Sequence, residues 1–237
     1  MDRIYCLKPS DFLLLAGIKE IRRMYCMELP TREQMDQREL FLELYKMIRN
    51  KLLSVGEMGE YKLEEQLDIL MECIKQAECF WTCEEEAEKV RKIVYIAPQG
   101  AASVELSEEK DEFYLSGHAP ELNFWEQELL DKDEEGQQIE SFNAEVQAER
   151  AFLSQSEFPG LKEEFNWKGN EERTVMAIWS LRRMKNAECL KRVVFIRGKF
   201  LSWILRQEGE EEILLYDSKE GRIRLAEEMF HGEGEEL

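Results

Sequence analysis

The sequence predicts an α+β protein made of two related units, each a helix followed by a three-strand antiparallel meander. Residues 91–96, Arg-Lys-Ile-Val-Tyr-Ile, recur as Lys-Arg-Val-Val-Phe-Ile at 191–196. Each copy is followed by a turn, a second apolar run, an acidic turn and a third run, a pattern typical of meanders. A repeat of this size favours a pseudo-twofold duplication. Two unrelated meanders are the alternative.

A short strand at residues 3–7 and two helices are expected at the start of the chain. Ser10 or Asp11 fits the N-cap of a helix that runs to about Met27. Thr31 and Gln34 fit a capping box for a second helix, which Gly56 would end. The apolar positions at helical spacing in that second helix are Leu40, Phe41, Leu44, Met47, Ile48 and Leu52.

The rest of the first unit is predicted as a third helix, a charged loop and three strands. The helix spans 63–79 and has one apolar side, formed by Leu67, Leu70, Met71, Ile74 and Ala77. A charged extension or loop is expected at 84–90, and the strands are expected at 91–97, 101–106 and 112–117. The trio Ala77-Glu78-Cys79 before these strands returns as Ala187-Glu188-Cys189 before the second set.

The second half is predicted to repeat this order after an acidic insert. A first unit at about 1–118 is followed by a helical insert at 119–171 and a second unit at 172–228, and the tail 229–237 is expected to be loose. The second unit is expected to hold a helix at 172–186 and strands at 191–196, 200–206 and 211–217. We interpret residues 1–237 as a single pseudo-symmetric domain.

Composition narrows the classes of partner. The chain has 237 residues, 43% of them hydrophobic, and a formal net charge of −19. This charge disfavours nucleic acid and anionic membrane surfaces, both of which require clustered basic residues. It favours a protein partner with a basic or apolar face. The apolar run at 12–18 is too short to span a membrane, so we expect a cytoplasmic protein.

The cysteines and histidines do not form a recognisable metal-binding pattern. In the cytoplasm the six cysteines are expected to be reduced. Cys79 and Cys83 are four residues apart, but a zinc site needs two further ligands, and His118 and His231 lie far away in the sequence. We therefore expect no metal and no cofactor.

No catalytic residues are predicted. The sequence lacks a nucleophile elbow, a Walker loop and a dinucleotide-binding glycine pattern. His118 is interpreted as a turn residue and His231 as a solvated one. With 51 acidic residues, selecting a catalytic carboxylate pair would be arbitrary. An enzyme that uses carboxylates on an unrecognised scaffold remains an alternative.

Binding features are concentrated in the second half. The strand at 200–206 is apolar on both sides, and an aromatic pair lies in the turn-rich segment 165–168. Exposed aromatic side chains are typical anchors of protein interfaces. The predicted partner-binding residues are Phe165, Trp167, Phe200 and Trp203.

The order of elements resembles a known family. An opening strand leads through Leu7-x-x-Ser10-Asp11-Phe12 into a helix, and helices, three strands, a helical insert, a helix and three more strands follow. This arrangement resembles the EspG family, the cytosolic chaperones of ESX (type VII) secretion systems, over nearly the whole chain. The composition, rich in Lys and Glu and tolerant of cysteine, resembles that of a Firmicutes type VII accessory protein.

The resemblance implies a pseudo-twofold fold with helical bundles and a non-enzymatic adaptor function. Such a protein would bind helical-hairpin secretion substrates of WXG or LXG type near their tips and keep them soluble for export. No contact residue of the family can be placed on this sequence. An acidic immunity protein that neutralises a toxin is the alternative from another class, and the oligomeric state is left open.

Overall fold

The computed structural model describes residues 3–25, 37–85, 89–107, 112–118, 174–198, 202–209, 211–218, 221–222 and 225. The chain divides into two compact units. The first comprises Met1–Thr82, Val90–Glu121 and Arg182–Glu188, and the second comprises Cys83–Lys89, Leu122–Leu181 and Cys189–Leu237. The predicted helical insert and the predicted loose tail lie outside the described residues, and the single pseudo-symmetric domain stays a prediction.

Three helices and eleven strands are found in the described part of the chain. In chain order they are β1 (Tyr5–Leu7), α1 (Pro9–Ile18), α2 (Gln37–Arg49), β2 (Leu53–Val55), β3 (Tyr61–Leu63), α3 (Glu65–Gln76), β4 (Cys79–Glu85), β5 (Lys89–Ala97), β6 (Gly100–Leu106), β7 (Phe113–His118), β8 (Thr174–Arg183), β9 (Cys189–Arg197), β10 (Ser202–Glu208) and β11 (Glu211–Tyr216). The fold class is therefore α+β.

Apart from β1, which pairs with β7, the strands of each unit are neighbours in chain order. In the first unit the order is β1-β7-β6-β5-β4, and in the second it is β8-β9-β10-β11. The register is antiparallel at β1–β7, β5–β6, β6–β7, β9–β10 and β10–β11. Each unit thus contains a four-strand meander, one strand longer than the sequence repeat predicts.

Helix α1 begins and ends earlier than expected. Its N-cap is Lys8, followed by Pro9 at the first helical position, where proline's missing N–H costs nothing. The backbone N–H of Lys8 donates to Oδ2 of Asp11 at 3.0 Å, so Asp11 supports the cap from inside the helix. The helix ends at Ile18, and Glu20 then takes a positive φ of 55°. The predicted N-cap at Ser10 or Asp11 is wrong by two or three residues.

A short hairpin follows α2 where the sequence predicts only a helix end. Strands β2 and β3 pair with Val55 opposite Tyr61 and Leu53 opposite Leu63. Gly56 lies in the turn rather than at the end of α2, and its N–H donates to the carbonyl of Glu60 at 2.8 Å. Gly59, with φ of 84°, supplies the left-handed residue of this turn. The capping box at Thr31 and Gln34 lies outside the described residues.

The core of the first unit lies between α1, α3 and the strands. Helix α3 buries all five residues that the sequence pattern assigns to its apolar side, namely Leu67, Leu70, Met71, Ile74 and the adjoining Ala77. They pack with Phe12 and Leu15 of α1 and with the inner side chains of β5, β6 and β7. This prediction is confirmed.

Two predicted segments have the wrong secondary structure. Residues expected as a charged loop at 84–90 instead include the end of β4 and the start of β5. Residues expected as a helix at 172–186 include β8. In β8 the consecutive residues 177–181 are all buried. A strand that is covered on both sides does not alternate between apolar and polar residues. Over a short window its sequence therefore cannot be distinguished from that of a buried helix.

The second unit is buried on both faces of its middle strands. In β9 the run 193–196 is buried, and in β10 Trp203, Ile204 and Leu205 are buried in succession. The rings of Trp179 and Phe195 meet edge to face with centroids 5.1 Å apart. The predicted strand at 200–206 is confirmed as β10, and both of its sides are covered as expected, although it lies next to the edge strand β11.

Helix α3 approaches β7 closely at one glycine. A Cβ added to Gly117 would overlap the Cδ2 methyl group of Leu70. Leu70 itself is buried within the core of the first unit. The absence of a side chain at Gly117 is therefore what lets α3 lie this close to the strand.

Candidate functional site

The exposed apolar side chains lie in one stretch of the first unit. In the part of the chain that the structure describes, eight large apolar side chains are exposed, all in this unit. Six of the eight fall on α2 and on the β2–β3 hairpin, namely Phe41, Leu42, Tyr45, Val55, Met58 and Tyr61. Clustered exposure of this kind is typical of a protein-binding surface.

Helix α2 is apolar on two opposite sides. Its inner side carries Leu44, Met47 and Ile48, which contact the core of the first unit. Its outer side carries Phe41, 70% exposed, and Tyr45, 66% exposed, with Leu42 beside them. Since a surface helix normally presents polar residues to water, the outer side is unusual.

Two arginines bound the outer side of α2. Arg38 lies one turn before Phe41 and Leu42, and Arg49 lies one turn after Tyr45. At 3.6 residues per turn, these five residues fall within about 100° of arc. We call Arg38, Phe41, Leu42, Tyr45 and Arg49 the α2 stripe. Arginine and tyrosine are enriched among residues that dominate binding energy.

A salt bridge on the flank of α2 stabilises the helix beside the stripe. Nζ of Lys46 donates to Oε1 of Glu43 at 2.6 Å. This hydrogen bond raises the pKa of Lys46. Glu43 therefore has a basic partner on its own helix.

The hairpin carries a second exposed apolar feature. Leu53 and Leu63 anchor its base in the core, and the next cross-strand pair, Val55 and Tyr61, is exposed on the same side. Met58, in the turn, is 93% exposed. We call Val55, Met58 and Tyr61 the hairpin tip. The hairpin therefore extends the apolar side of its base outward into solvent.

An ion cluster connects the C-terminal end of α1 to α3. Nζ of Lys19 lies 2.9 Å from Oδ1 of Asp68 and 3.0 Å from Oε2 of Glu72. Burial alone would lower the pKa of Lys19, but the hydrogen bonds to the two carboxylates outweigh it and raise the pKa. The same contact lowers the pKa of Glu72. These contacts fix the two helices that carry most of the first unit's core.

Of the four partner-binding residues that the sequence predicts, the structure describes only Trp203. Trp203 is fully buried in β10, 0% exposed, with Ile196 and Tyr216 as its cross-strand neighbours. Its ring contributes to the core of the second unit and offers no surface in this conformation. Phe165, Trp167 and Phe200 lie outside the described residues, so their role stays a prediction.

Residue types that carry chemistry are scattered. Cys73 and Cys83 are buried, Cys79 is half-buried, and Cys6 and Cys189 are exposed. His118 ends β7, and its Cα partner is Ala101 of β6, whereas His231 lies outside the described residues. Among the described residues, no three of His, Cys, Asp and Glu are grouped to hold a metal ion.

Comparison with solved structures identifies a protein with a similar fold. No family model matches the chain, and no curated protein matches it. The chain is similar to the type VII secretion system chaperone EspG5 of Mycobacterium tuberculosis, whose structure was solved in complex with a PE25–PPE41 dimer. The similarity covers 90% of this chain and 89% of EspG5, with a TM-score of 0.51 and 9% sequence identity. At this identity the match shows a shared fold, and the fold resemblance drawn from the order of elements is confirmed.

None of the helices in the described ranges is both long and apolar enough to cross a membrane.

Sequence reasoning missed the α2 stripe. The sequence pattern places Phe41 with the apolar residues of α2 that face the core, yet Phe41 is exposed. The signal was present as a second set of spacings, because Arg38, Phe41, Tyr45 and Arg49 recur every three or four residues on the side opposite Met47. A search for two apolar sides on one helix, rather than one, would have found it.

Proposed function

We propose that this chain is a non-enzymatic chaperone or adaptor that binds helical-hairpin substrates of a type VII, ESX-like secretion system in the cytoplasm. The observation that carries the proposal is the fold similarity to EspG5, which extends over 90% of the chain. The structure of EspG5 contains a bound protein dimer. We infer a corresponding protein-binding role for this chain.

The surface of the first unit supports a protein-binding role. The α2 stripe and the hairpin tip expose apolar side chains that a partner would remove from water, at about 25 cal/mol per Å² of apolar surface. Aromatic residues and arginine are enriched in such interfaces relative to other protein surfaces. The net charge of −19 makes copies of the chain repel one another, which opposes self-association when no partner is bound.

The substrate class belongs to the same proposal. We propose WXG- or LXG-type helical-hairpin proteins as substrates, bound near their tips and kept soluble for export. Phe165, Trp167 and Phe200 remain proposed contact residues of the second half. Within this proposal, the chain is a diverged accessory factor of a Firmicutes type VII system.

Co-expression tests this function. We expect the chain to co-purify as a stable complex with a helical-hairpin protein encoded beside it, and to raise the soluble fraction of that protein. A Phe165→Ala/Trp167→Ala double variant tests the proposed contact. Failure with every neighbouring helical-hairpin protein would overturn the proposal.

A toxin-protection assay separates the proposal from the inhibitor alternative. We expect the chain to change the export of a neighbouring substrate. Protection of cells from a neighbouring toxin with no change in its export would replace the chaperone function with an immunity function.

A further inference from the structure

Strand β11 is the outermost strand of the second unit. It pairs with β10 over all six of its residues, and among the described residues no strand lies on its other side. The outer side of an edge strand presents a row of backbone N–H and C=O groups, to which a further strand can bind. The edge of β11 is therefore a place where another chain can extend the sheet.

The hydrogen-bond register determines which residues of β11 face outward. The N–H of Asp217 donates to the carbonyl of Ser202 at 3.0 Å, and these two residues continue the register of the β10–β11 pair. In an antiparallel pair, hydrogen-bonded and non-hydrogen-bonded residue pairs alternate. Counting back from Asp217, the N–H and C=O groups of Glu212, Leu214 and Tyr216 point away from β10.

Strand β11 lacks the features by which edge strands usually avoid further pairing. Its residues 213–216, Ile-Leu-Leu-Tyr, include no proline and no charged residue, and its register with β10 runs without a bulge. Strand β1, the edge strand of the first unit, has by contrast only three residues. The side chains of Ile213, Leu214 and Leu215 are half-buried, and an added strand would cover them further.

The two ends of β11 differ in charge. Three consecutive glutamates stand at 210–212, where the strand begins, and Glu211 is exposed. Beyond the other end, the side chain of Asp217 is fully buried and is paired with Arg222, whose Nη2 donates to Oδ2 at 3.0 Å. A partner strand therefore meets acidic groups at the start of β11 and a neutralised pair at its end.

We propose that the outer edge of β11 binds an extended segment of a partner protein as an added antiparallel strand, and that this segment is apolar at its centre and basic at its C-terminal end. Antiparallel pairing is slightly more stable per residue, and it places the segment's C-terminal end beside the glutamates. In complexes of this kind backbone hydrogen bonds supply affinity and side chains supply specificity. The inference goes beyond the proposed function, because it concerns an extended segment rather than a helical hairpin.

Two other occupants fit this edge less well. A second copy paired through β11 would bring together two chains of net charge −19 along an edge of only six residues. The chain's own residues 229–237 contain three glutamates and no lysine or arginine, so they would meet the glutamates of β11 with like charge. A basic segment has the complementary charge.

Fluorescence anisotropy with synthetic peptides tests the proposal. The probe is a labelled peptide with about five alternating valine and threonine residues, which favour an extended backbone, followed by two lysines. We expect the full-length chain to bind it in about 150 mM salt, and to bind a version with glutamates in place of the lysines at least tenfold more weakly. A peptide with the lysines at its N-terminal end should bind at least fivefold more weakly.

Backbone methylation separates strand addition from a simple apolar contact. Alternate residues of an added strand direct their N–H groups toward β11, and the others direct them away. We expect N-methylation of one alternate set of peptide residues to weaken binding at least tenfold, and N-methylation of the other set to change it less than twofold. In the chain, hydrogen exchange at the amide of Leu214 should slow on binding, whereas exchange at Ile213, which bonds to β10, should not.

Variants of the chain localise the binding. Leu214→Pro removes an outward N–H without removing a bond to β10, and we expect it to weaken the peptide at least tenfold. Leu214→Ala keeps that N–H and is the matched control, with at most a threefold change. Glu211→Lys should weaken the lysine peptide at least fivefold, whereas Glu57→Lys, at an exposed glutamate of the β2–β3 turn, should not. If Leu214→Pro does not fold, the methylated peptides still decide.

Four outcomes would overturn the inference. These are equal affinity for the two methylated peptides, unchanged binding by folded Leu214→Pro, a dimer in sedimentation that Leu214→Pro abolishes, and a fivefold gain in peptide affinity when residues 229–237 are deleted. If the peptides fail while a helical-hairpin protein still co-purifies, the inference falls and the chaperone function stands. If the peptides bind while no hairpin protein co-purifies, only the proposed function falls.

Discussion

Tyr5 joins the first strand to the start of α3 through a single carboxylate. Its hydroxyl, in a ring only 3% exposed, donates to Oε2 of Glu64 at 2.5 Å. The same oxygen accepts from the backbone N–H of Leu67 at 3.1 Å, so Glu64 also caps α3. Burial and the nearby carboxylate raise the pKa of Tyr5 to about 12, and the hydroxyl lowers the pKa of Glu64.

The substitution Tyr5→Phe should destabilise the chain in a pH-dependent way. We expect a loss of about 1–2 kcal/mol in the free energy of unfolding at neutral pH, since a hydrogen bond to a charged group is removed. The folded state lowers the pKa of Glu64, so the stability from its ionised form is present above its ordinary pKa and is lost as the pH falls. Urea unfolding should show the difference between variant and wild type narrowing toward acid pH.

The alkaline side provides a second readout for Tyr5. Folding raises the pKa of the Tyr5 hydroxyl. The stability that the protonated hydroxyl contributes is therefore present below pH 10 and is lost as the pH rises through about 12. Ultraviolet absorbance should show a tyrosinate step near pH 12 that Tyr5→Phe removes. Tyr45→Phe, which changes an exposed ring, is the control and should leave that step in place. Titration of Tyr5 at its ordinary pKa would contradict this account.

Burial of individual residues was only partly predictable from the sequence. The five apolar residues at the inner side of α3 follow one helical period, and all are buried. Trp203 and Phe41 are opposite cases: Trp203, a predicted partner-binding residue, is buried, and Phe41, grouped by its spacing with the core residues of α2, is exposed. An aromatic residue fits either setting, so the neighbouring elements decide, and a linear pattern does not contain them.

At the level of elements, the contact between Gly117 and Leu70 sets how closely α3 packs on β7. We expect Gly117→Ala to lower the free energy of unfolding by about 1–3 kcal/mol, because the new methyl group must displace a buried leucine. Chemical denaturation measures this effect. Gly17→Ala is the control, since no atom lies within 4 Å of its added Cβ and it should be neutral or mildly stabilising in α1.

A double-variant cycle tests whether Leu70 is the obstacle at Gly117. Leu70→Ala alone should cost about 2–5 kcal/mol by removing buried methyl groups. The double variant should cost less than the sum of the two single changes, because the new methyl group fills space that the leucine has left. Strict additivity would mean that the cost at position 117 comes from something other than this contact.

Most elements that are bounded by clear turn residues were predicted well, whereas β8 and the β2–β3 hairpin were not. Helix α3 and strands β5, β6, β7, β9, β10 and β11 lie where the turn residues and apolar runs indicate. Strand β8 was interpreted as a helix because both of its faces are covered, which erases the two-residue period. The β2–β3 hairpin was missed because each strand has only three residues, too few to show any period.

The repeat was informative about the whole molecule despite errors in its parts. The trios Ala77-Glu78-Cys79 and Ala187-Glu188-Cys189 do not occupy equivalent positions, since the first leads from α3 into the first strand of its meander, β4, and the second leads from β8 into the second strand, β9. Ala187 takes a φ of 56°, whereas Ala77 is extended with φ of −60°. The recurring strand sequences, by contrast, both lie in the second strand of a four-strand meander. Whether the two meanders are a true duplication stays a prediction.

Cysteine reactivity tests the fold of the whole molecule. We expect a brief pulse of iodoacetamide to modify Cys6 and Cys189 first, because both are exposed. Cys73 and Cys83 should react last, and burial also raises the pKa of the Cys73 thiol, which leaves less thiolate. Peptide mass spectrometry gives the order of modification.

Unfolding supplies the control for cysteine labelling. In concentrated urea the same pulse should modify all six cysteines at similar rates. If Cys73 reacts as fast as Cys6 in the native protein, α3 does not cover the strands as described.

The glycine beneath α3 also has an evolutionary consequence. Positions 70 and 117 share one small volume, so neither can change size freely while the other is kept. Homologous chains with alanine or serine at 117 should carry a smaller or differently branched residue at 70, whereas those that keep glycine should keep leucine or an isostere. Covariation of this pair would mark the helix-on-strand contact of the first unit in sequences too distant to align by identity.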